Sequence, residues 1–134
     1  MELRKESIDI GITCVDAPAM LAFYRDVLGL VHQGDNRVPG GGSMHRLLTG
    51  TGAGAAMLKL VALEPAPTSA NPPGGLRGGT GLRYFTFMVD DLDAALAPCE
   101  QAGRPVVQRS QIGQARLAIV EDPDGNWVEL VQVG

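Results

Sequence analysis

Two carboxylates, an ammonium group and a phenol stand at Asp9, Glu129, Lys59 and Tyr84. Each lies in a stretch of alternating apolar and polar residues, near the middle of a predicted strand. Side chains alternate between faces along a strand, so all four fall on one sheet face. Carboxylates accept protons, ammonium offsets negative charge and a phenol donates a hydrogen bond. Such a group could serve a small molecule. Equally, Lys59 could pair with Glu129 or Asp9 and only neutralise buried charge.

The elements that must hold these residues occur twice. Ile8 to Thr13 alternates with period two and reads as a strand. Asp16 is placed to cap a helix, with Met20, Leu21, Tyr24, Val27 and Leu28 at helical spacing and Gly29 ending it. Three strands follow, around Leu30–Gln33, Met44–Leu48 and Ala56–Val61. Residues 64–81, rich in proline and glycine, read as a linker. The pattern then restarts with a strand over Leu82–Val89 and a helix capped by Asp91. Leu92, Ala95, Leu96 and Cys99 line that helix, Pro98 should kink it and Gly103 ends it. Strands at Val106–Gln108, Arg116–Val120 and Trp127–Gln132 complete the second half, with a turn at Asp122-Pro123-Asp124-Gly125.

The prediction is an α+β chain of two βαβββ modules, 1–63 and 82–134, joined by 64–81 and together forming one domain. The sets Ile8, Ile10, Ile12; Leu58, Leu60; Phe85, Phe87, Val89; and Val128, Leu130 should pack beneath the helices. The other face collects Thr13, Met57, Thr86, Met88 and Trp127 around the four polar groups. That mixture suits a small-molecule pocket, and Met57 and Trp127 could wall a flat ligand or simply pack.

A net charge of −4 provides no basic surface for a nucleic acid. No apolar run is long enough to span a membrane, and residues 1–7 are too polar to open a signal peptide. Cys14 and Cys99, far apart and without a CxxC, fit two reduced, partly buried thiols in a cytoplasmic protein. The glycine clusters complete no phosphate-binding loop. His32 and His45 lie outside the strands of the four polar residues, and of the neighbours His45 and Arg46 only one can face a pocket.

Three segments carry a resemblance: Ala22 to Leu30, with the pattern FYxxxLG; Val89-Asp90-Asp91-Leu92-Asp93; and Glu121 to Leu130, with DPDGNxxEL. With these the chain resembles the vicinal oxygen chelate superfamily of glyoxalases, bleomycin resistance proteins and extradiol dioxygenases, along nearly its whole length. The resemblance implies a curved mixed sheet around a central cavity, commonly in a homodimer. In metal-using members the ligands come from the first, fourth, fifth and eighth strands, positions that fall here on Asp9, Lys59, Tyr84 and Glu129. Charged Lys has no lone pair to offer a metal, so the ligand set reads as degenerate and no cofactor is expected. The alternative is an atypical site for Zn, Ni, Mn or Fe on Glu129 and Asp9.

The resemblance therefore implies a metal-independent protein that binds or sequesters a small organic molecule. In that setting Lys59 would stand in for the metal's charge and hold an anionic or enolate-like oxygen. Glu129 or Asp9 would accept a proton and Tyr84 would donate its hydroxyl. The alternative is a glyoxalase-like lyase or isomerase, or a dioxygenase, and a third reading is a scaffold without ligand.

Overall fold

The computed structural model describes all 134 residues and divides into two compact units, Met1–Thr68 and Ser69–Gly134. The chain is α+β, with one four-stranded mixed sheet in each unit.

In the first unit β1 (Ile10–Thr13) leads into α1 (Ala17–Leu21), then β2 (Val31–Arg37), β3 (Gly42–Leu48) and β4 (Met57–Leu63). The sheet order is β1-β4-β3-β2, with β1 parallel to β4 and the other pairs antiparallel. Asp16 caps α1 by accepting from the Ala19 amide at 3.1 Å. The helix continues as a π-helical segment over Ala22–Val27, where the Leu28 amide reaches back five residues to the Phe23 carbonyl. The wider turn places Phe23 and Tyr24 side by side in the core, their rings edge to face at 4.9 Å. Helix α1 packs on β4, and Leu58, Leu60 and Leu47 are buried as the alternation requires.

The second unit repeats this order: β5 (Tyr84–Met88), α2 (Leu92–Gln101), β6 (Val106–Ile112), β7 (Ala115–Glu121) and β8 (Trp127–Val133), arranged β5-β8-β7-β6. Asp91 caps α2 through the Ala94 amide at 2.9 Å, and the Gln132 side chain accepts from the Leu92 amide at 2.8 Å. The helix runs through Pro98. Val128 and Leu130 are buried. Cys14 and Cys99 are both free and buried, and burial pushes the Cys99 thiol upward. A 3₁₀ turn at Gly75–Arg77 lies within the segment read from sequence as linker, and the boundary between the units falls at Thr68.

Two differences from the sequence-based expectations matter. The first strand begins at Ile10 rather than Ile8, and Ile8 is exposed instead of packed. The cause is Asp9, whose carboxylate accepts the Met57 amide at 2.8 Å and so ends the β1–β4 ladder with a side chain. The second and sixth strands are longer than expected because each contains a register shift, at His32/Gly34 and at Val106/Gln108. A β-bulge lets pairing resume one residue out of phase.

Candidate functional site

The repeat sets the geometry of the polar residues. Lys59 pairs with Gly11 across the parallel β1–β4 ladder, and Glu129 pairs with Thr86 across β5–β8. Lys59 and Glu129 thus hold equivalent positions in the two units, with opposite charge. Asp9 and Tyr84 each stand one residue ahead of an equivalent pair, Ile10↔Leu58 and Phe85↔Val128.

Asp9 lies just before β1 and not within it. Its partner is Lys5, whose Nζ donates to Oδ1 at 2.5 Å and to the Ala55 carbonyl at 3.1 Å. The pairing of Lys59 with Asp9 that the sequence allowed does not form. Lys5 is nearer in sequence, at i−4, and takes the carboxylate. Lys59 acts on Asp9 only through space. The Lys5 ammonium and the Met57 amide together hold the Asp9 carboxyl below its ordinary value of 3.8. A carboxyl whose pKa is depressed by folding stabilises the fold above its unfolded pKa, and that stabilisation is lost as pH falls through the folded value. Urea midpoints of the wild type should therefore decline below about pH 4, and Asp9→Asn should flatten part of that decline. An identical acid limb in the variant would remove Asp9 as a contributor.

Lys59 is half-buried and makes no hydrogen bond or ion pair. Opposite it, across the antiparallel β3–β4 ladder, stands Arg46. Arg46 in turn pairs with Gly34 on β2, and its guanidinium lies against that glycine, 3.1 Å from where a β-carbon would be. The Arg46 Nε is buried and without a partner. Two cations thus sit side by side on the face opposite Leu58 and Leu60, with no carboxylate between them. Strand parity alone left either His45 or Arg46 to share this face. Registration assigns Arg46 to it, because cross-strand partners share a face.

In the second unit, the Thr86 hydroxyl donates to Glu129 Oε1 at 2.7 Å. Tyr84 opens β5 and is exposed, as are Thr86 and Met88. Met57 and Thr13 flank Lys59 on the first sheet, Met57 half-buried and Thr13 exposed. The Trp127 indole donates from Nε1 to Glu121 at 3.2 Å. Its ring lies under Gly75, where a β-carbon would fall 2.2 Å from a ring atom and where φ is +59°. Arg83 ties the same segment down, donating to the Gly75 and Pro72 carbonyls at 2.7 Å each and to Asn71 Oδ1 at 3.3 Å. A polar cleft of about 150 Å³ lies beside Trp127 and Arg83, smaller than most organic-ligand pockets. Gly75→Ala combines a left-handed backbone with a steric clash, so it should cost about 2–4 kcal/mol in urea unfolding. Trp127 is the chain's only tryptophan, so displacement of the indole would be read directly as a shifted fluorescence maximum.

The four residues do not fit a divalent ion. Asp9 Oδ1 already accepts both the Lys5 ammonium and the Met57 amide, Lys59 lacks a lone pair, and Glu129, whose Oε1 accepts the Thr86 hydroxyl, keeps one carboxylate oxygen free.

Residues 8–130 match the family model described as Glyoxalase/Bleomycin resistance protein/Dioxygenase superfamily. The chain belongs to this superfamily. It is 30% identical over 125 residues to "Putative glyoxylase CFP32" of Mycobacterium tuberculosis, covering 92% of this chain and 44% of that protein. It thus spans less than half the length of that curated relative. In fold it is similar to TnmS3, an antibiotic binding protein from Streptomyces sp. CB03234, with a TM-score of 0.71 at 23% identity over 99% of this chain and 100% of that one. It is also similar to an E144Q mutant of glyoxalase I from Zea mays, with a TM-score of 0.77 at 17% identity over 92% of this chain and 43% of that one. No helix of this superfamily member is long and apolar enough to cross a membrane.

Proposed function

We propose that this superfamily member is a metal-independent binding protein that takes a small organic molecule by an anionic group. The observation that carries this reading is the Lys59–Arg46 pair: two cross-strand cations on one sheet face, neither with an acidic partner. Two like charges side by side cost stability, and a bound carboxylate, phosphate or enolate oxygen would reverse that cost. Met57 and Thr13 flank the cations and would contact the rest of the ligand. An antibiotic-binding protein is among the proteins that share this fold, which supports a small organic molecule as the ligand. The reading includes a homodimer in the cytoplasm; light scattering checks the assembly.

The test is a thermal-shift and calorimetric screen of small organic acids beside their esters and amides. Acids should raise the melting temperature and their neutral partners should not. Equal shifts from both would overturn the reading.

Glu129 favours catalysis as a second reading. The Thr86 hydroxyl fixes one carboxylate oxygen and leaves the other free to accept a proton, with exposed Tyr84 a candidate hydroxyl donor and Met88 and Trp127 candidate contacts beside it. Lyase or isomerase turnover that is abolished in Glu129→Gln would favour it.

A further inference from the structure

His32, Asp35 and His45 converge at the sheet edge of the first unit. Asp35 Oδ1 lies 2.7 Å from His32 Nε2 and 2.7 Å from His45 Nδ1. One ligand atom from each residue lies within 4.8 Å of the other two. The imidazoles meet edge to face at 5.8 Å. In a regular strand residues 32 and 35 would point to opposite faces. The register shift between His32 and Gly34 resets the alternation, so both stand on the face that His45 reaches from across the ladder, where Asp35↔His45 is a registered pair. His45 is paired with buried Leu60, and Arg46 with Lys59. The cluster is therefore on the opposite side of the sheet from the Lys59–Arg46 pair.

The second unit has the same bulge, but the equivalent register positions are Val106, Arg109 and Ala118. The backbone geometry belongs to the fold, and the three donors belong to this one place.

We propose that His32, Asp35 and His45 form a binding site for a divalent transition metal, separate from the anion site. Two imidazole nitrogens and one carboxylate suit Zn²⁺, Ni²⁺, Co²⁺ or Cu²⁺. Metal–ligand bonds of about 2.0–2.1 Å put tetrahedral ligands about 3.3 Å apart. The present separations, 2.7 Å for the two hydrogen bonds and at most 4.8 Å within the set, bracket that value. Each His–Asp separation needs to open by about half an ångström, and the two imidazole nitrogens, at most 4.8 Å apart, need to close by up to about 1.5 Å. On binding, the metal takes His32 Nε2, His45 Nδ1 and an Asp35 oxygen. Each neutral imidazole then carries its proton on its other ring nitrogen. Asp35 is exposed, so water completes the coordination shell, and exposed Arg37 on the same strand can swing into solvent.

The test is calorimetric titration of the full chain with ZnCl₂, with Co²⁺ absorption reporting the ligand field. One equivalent should bind. His45→Ala and Asp35→Asn should each weaken it by 10-fold or more, on the order of what loss of even an outer-shell partner costs. Glu129→Gln should leave it unchanged. Circular dichroism checks that the variants fold, and His32→Gln gives a milder second substitution. The proposal is overturned if no Zn²⁺ binds at 100-fold molar excess (about the excess needed to expose weak sites), or if Glu129→Gln abolishes binding while His45→Ala keeps it. Neither result bears on the anion screen, so the two proposals stand or fall apart.

Discussion

Asp122→Ala should lower the unfolding free energy by about 3–5 kcal/mol and the melting temperature by roughly 10–20 °C. Asp122 is the one buried charged residue of the chain, 2% exposed. Its Oδ1 accepts the backbone amides of Asp124 at 3.0 Å and Asn126 at 2.8 Å. The Asn126 amide group donates to both oxygens, at 3.2 and 2.9 Å. Alanine would leave two backbone N–H groups and one side-chain amide without their acceptor. Each buried unsatisfied group costs about 1–3 kcal/mol. The turn closed by Asp122 and Gly125, where φ is +85°, also starts β8 in register with β7. Asp122→Asn keeps one acceptor and should fall between the two. Urea denaturation gives the number directly, and a loss below about 1 kcal/mol would mean that the turn holds itself. Asp122, Gly125 and Asn126 of the superfamily signature in this chain are thus turn-builders, while Glu129 at its end keeps one carboxylate oxygen free.

Lys59→Met and Arg46→Met should each weaken binding of the acid found in the screen by about 10–100-fold, from loss of one charge-assisted hydrogen bond. The double variant should bind it no better than the corresponding ester. The same substitutions should leave stability unchanged or raise it slightly, because neither cation has an ion-pair partner in the fold and each faces the other across β3–β4. Reduced affinity with undiminished stability separates a ligand contact from a structural charge. If both variants lose stability together with affinity, the cations are holding the sheet instead. Isothermal calorimetry and urea unfolding on the same samples settle which.

Much of the architecture is legible along the chain. Asp16 and Asp91 mark the helix starts, and both do cap. Leu58, Leu60, Val128 and Leu130 alternate with polar neighbours, and all four are buried. Ile8 breaks that rule because a single side-chain hydrogen bond from Met57 to Asp9 shortens the strand, an event 48 residues apart in sequence. Arg46 was one of two candidates for its face, and no local pattern chooses between them. Only the registration of β3 on β4 does. The histidine cluster was hidden for a related reason: counting by twos from His32 puts Asp35 on the wrong side, and nothing in the residue types there announces a bulge.

The amino-acid order by itself determined the doubled βαβββ plan, the buried apolar faces of β4 and β8 and the superfamily, because these follow from short-range alternation, caps and turns, while Ile10, Ile12, Phe85, Phe87 and Val89 are only half-buried. Tertiary structure alone decided which distant charged groups meet: Arg46 beside Lys59, and Asp35 between two imidazoles. Those meetings depend on strand registration and on one inserted residue. Both are set by how whole strands pair, and no residue's own preference encodes them.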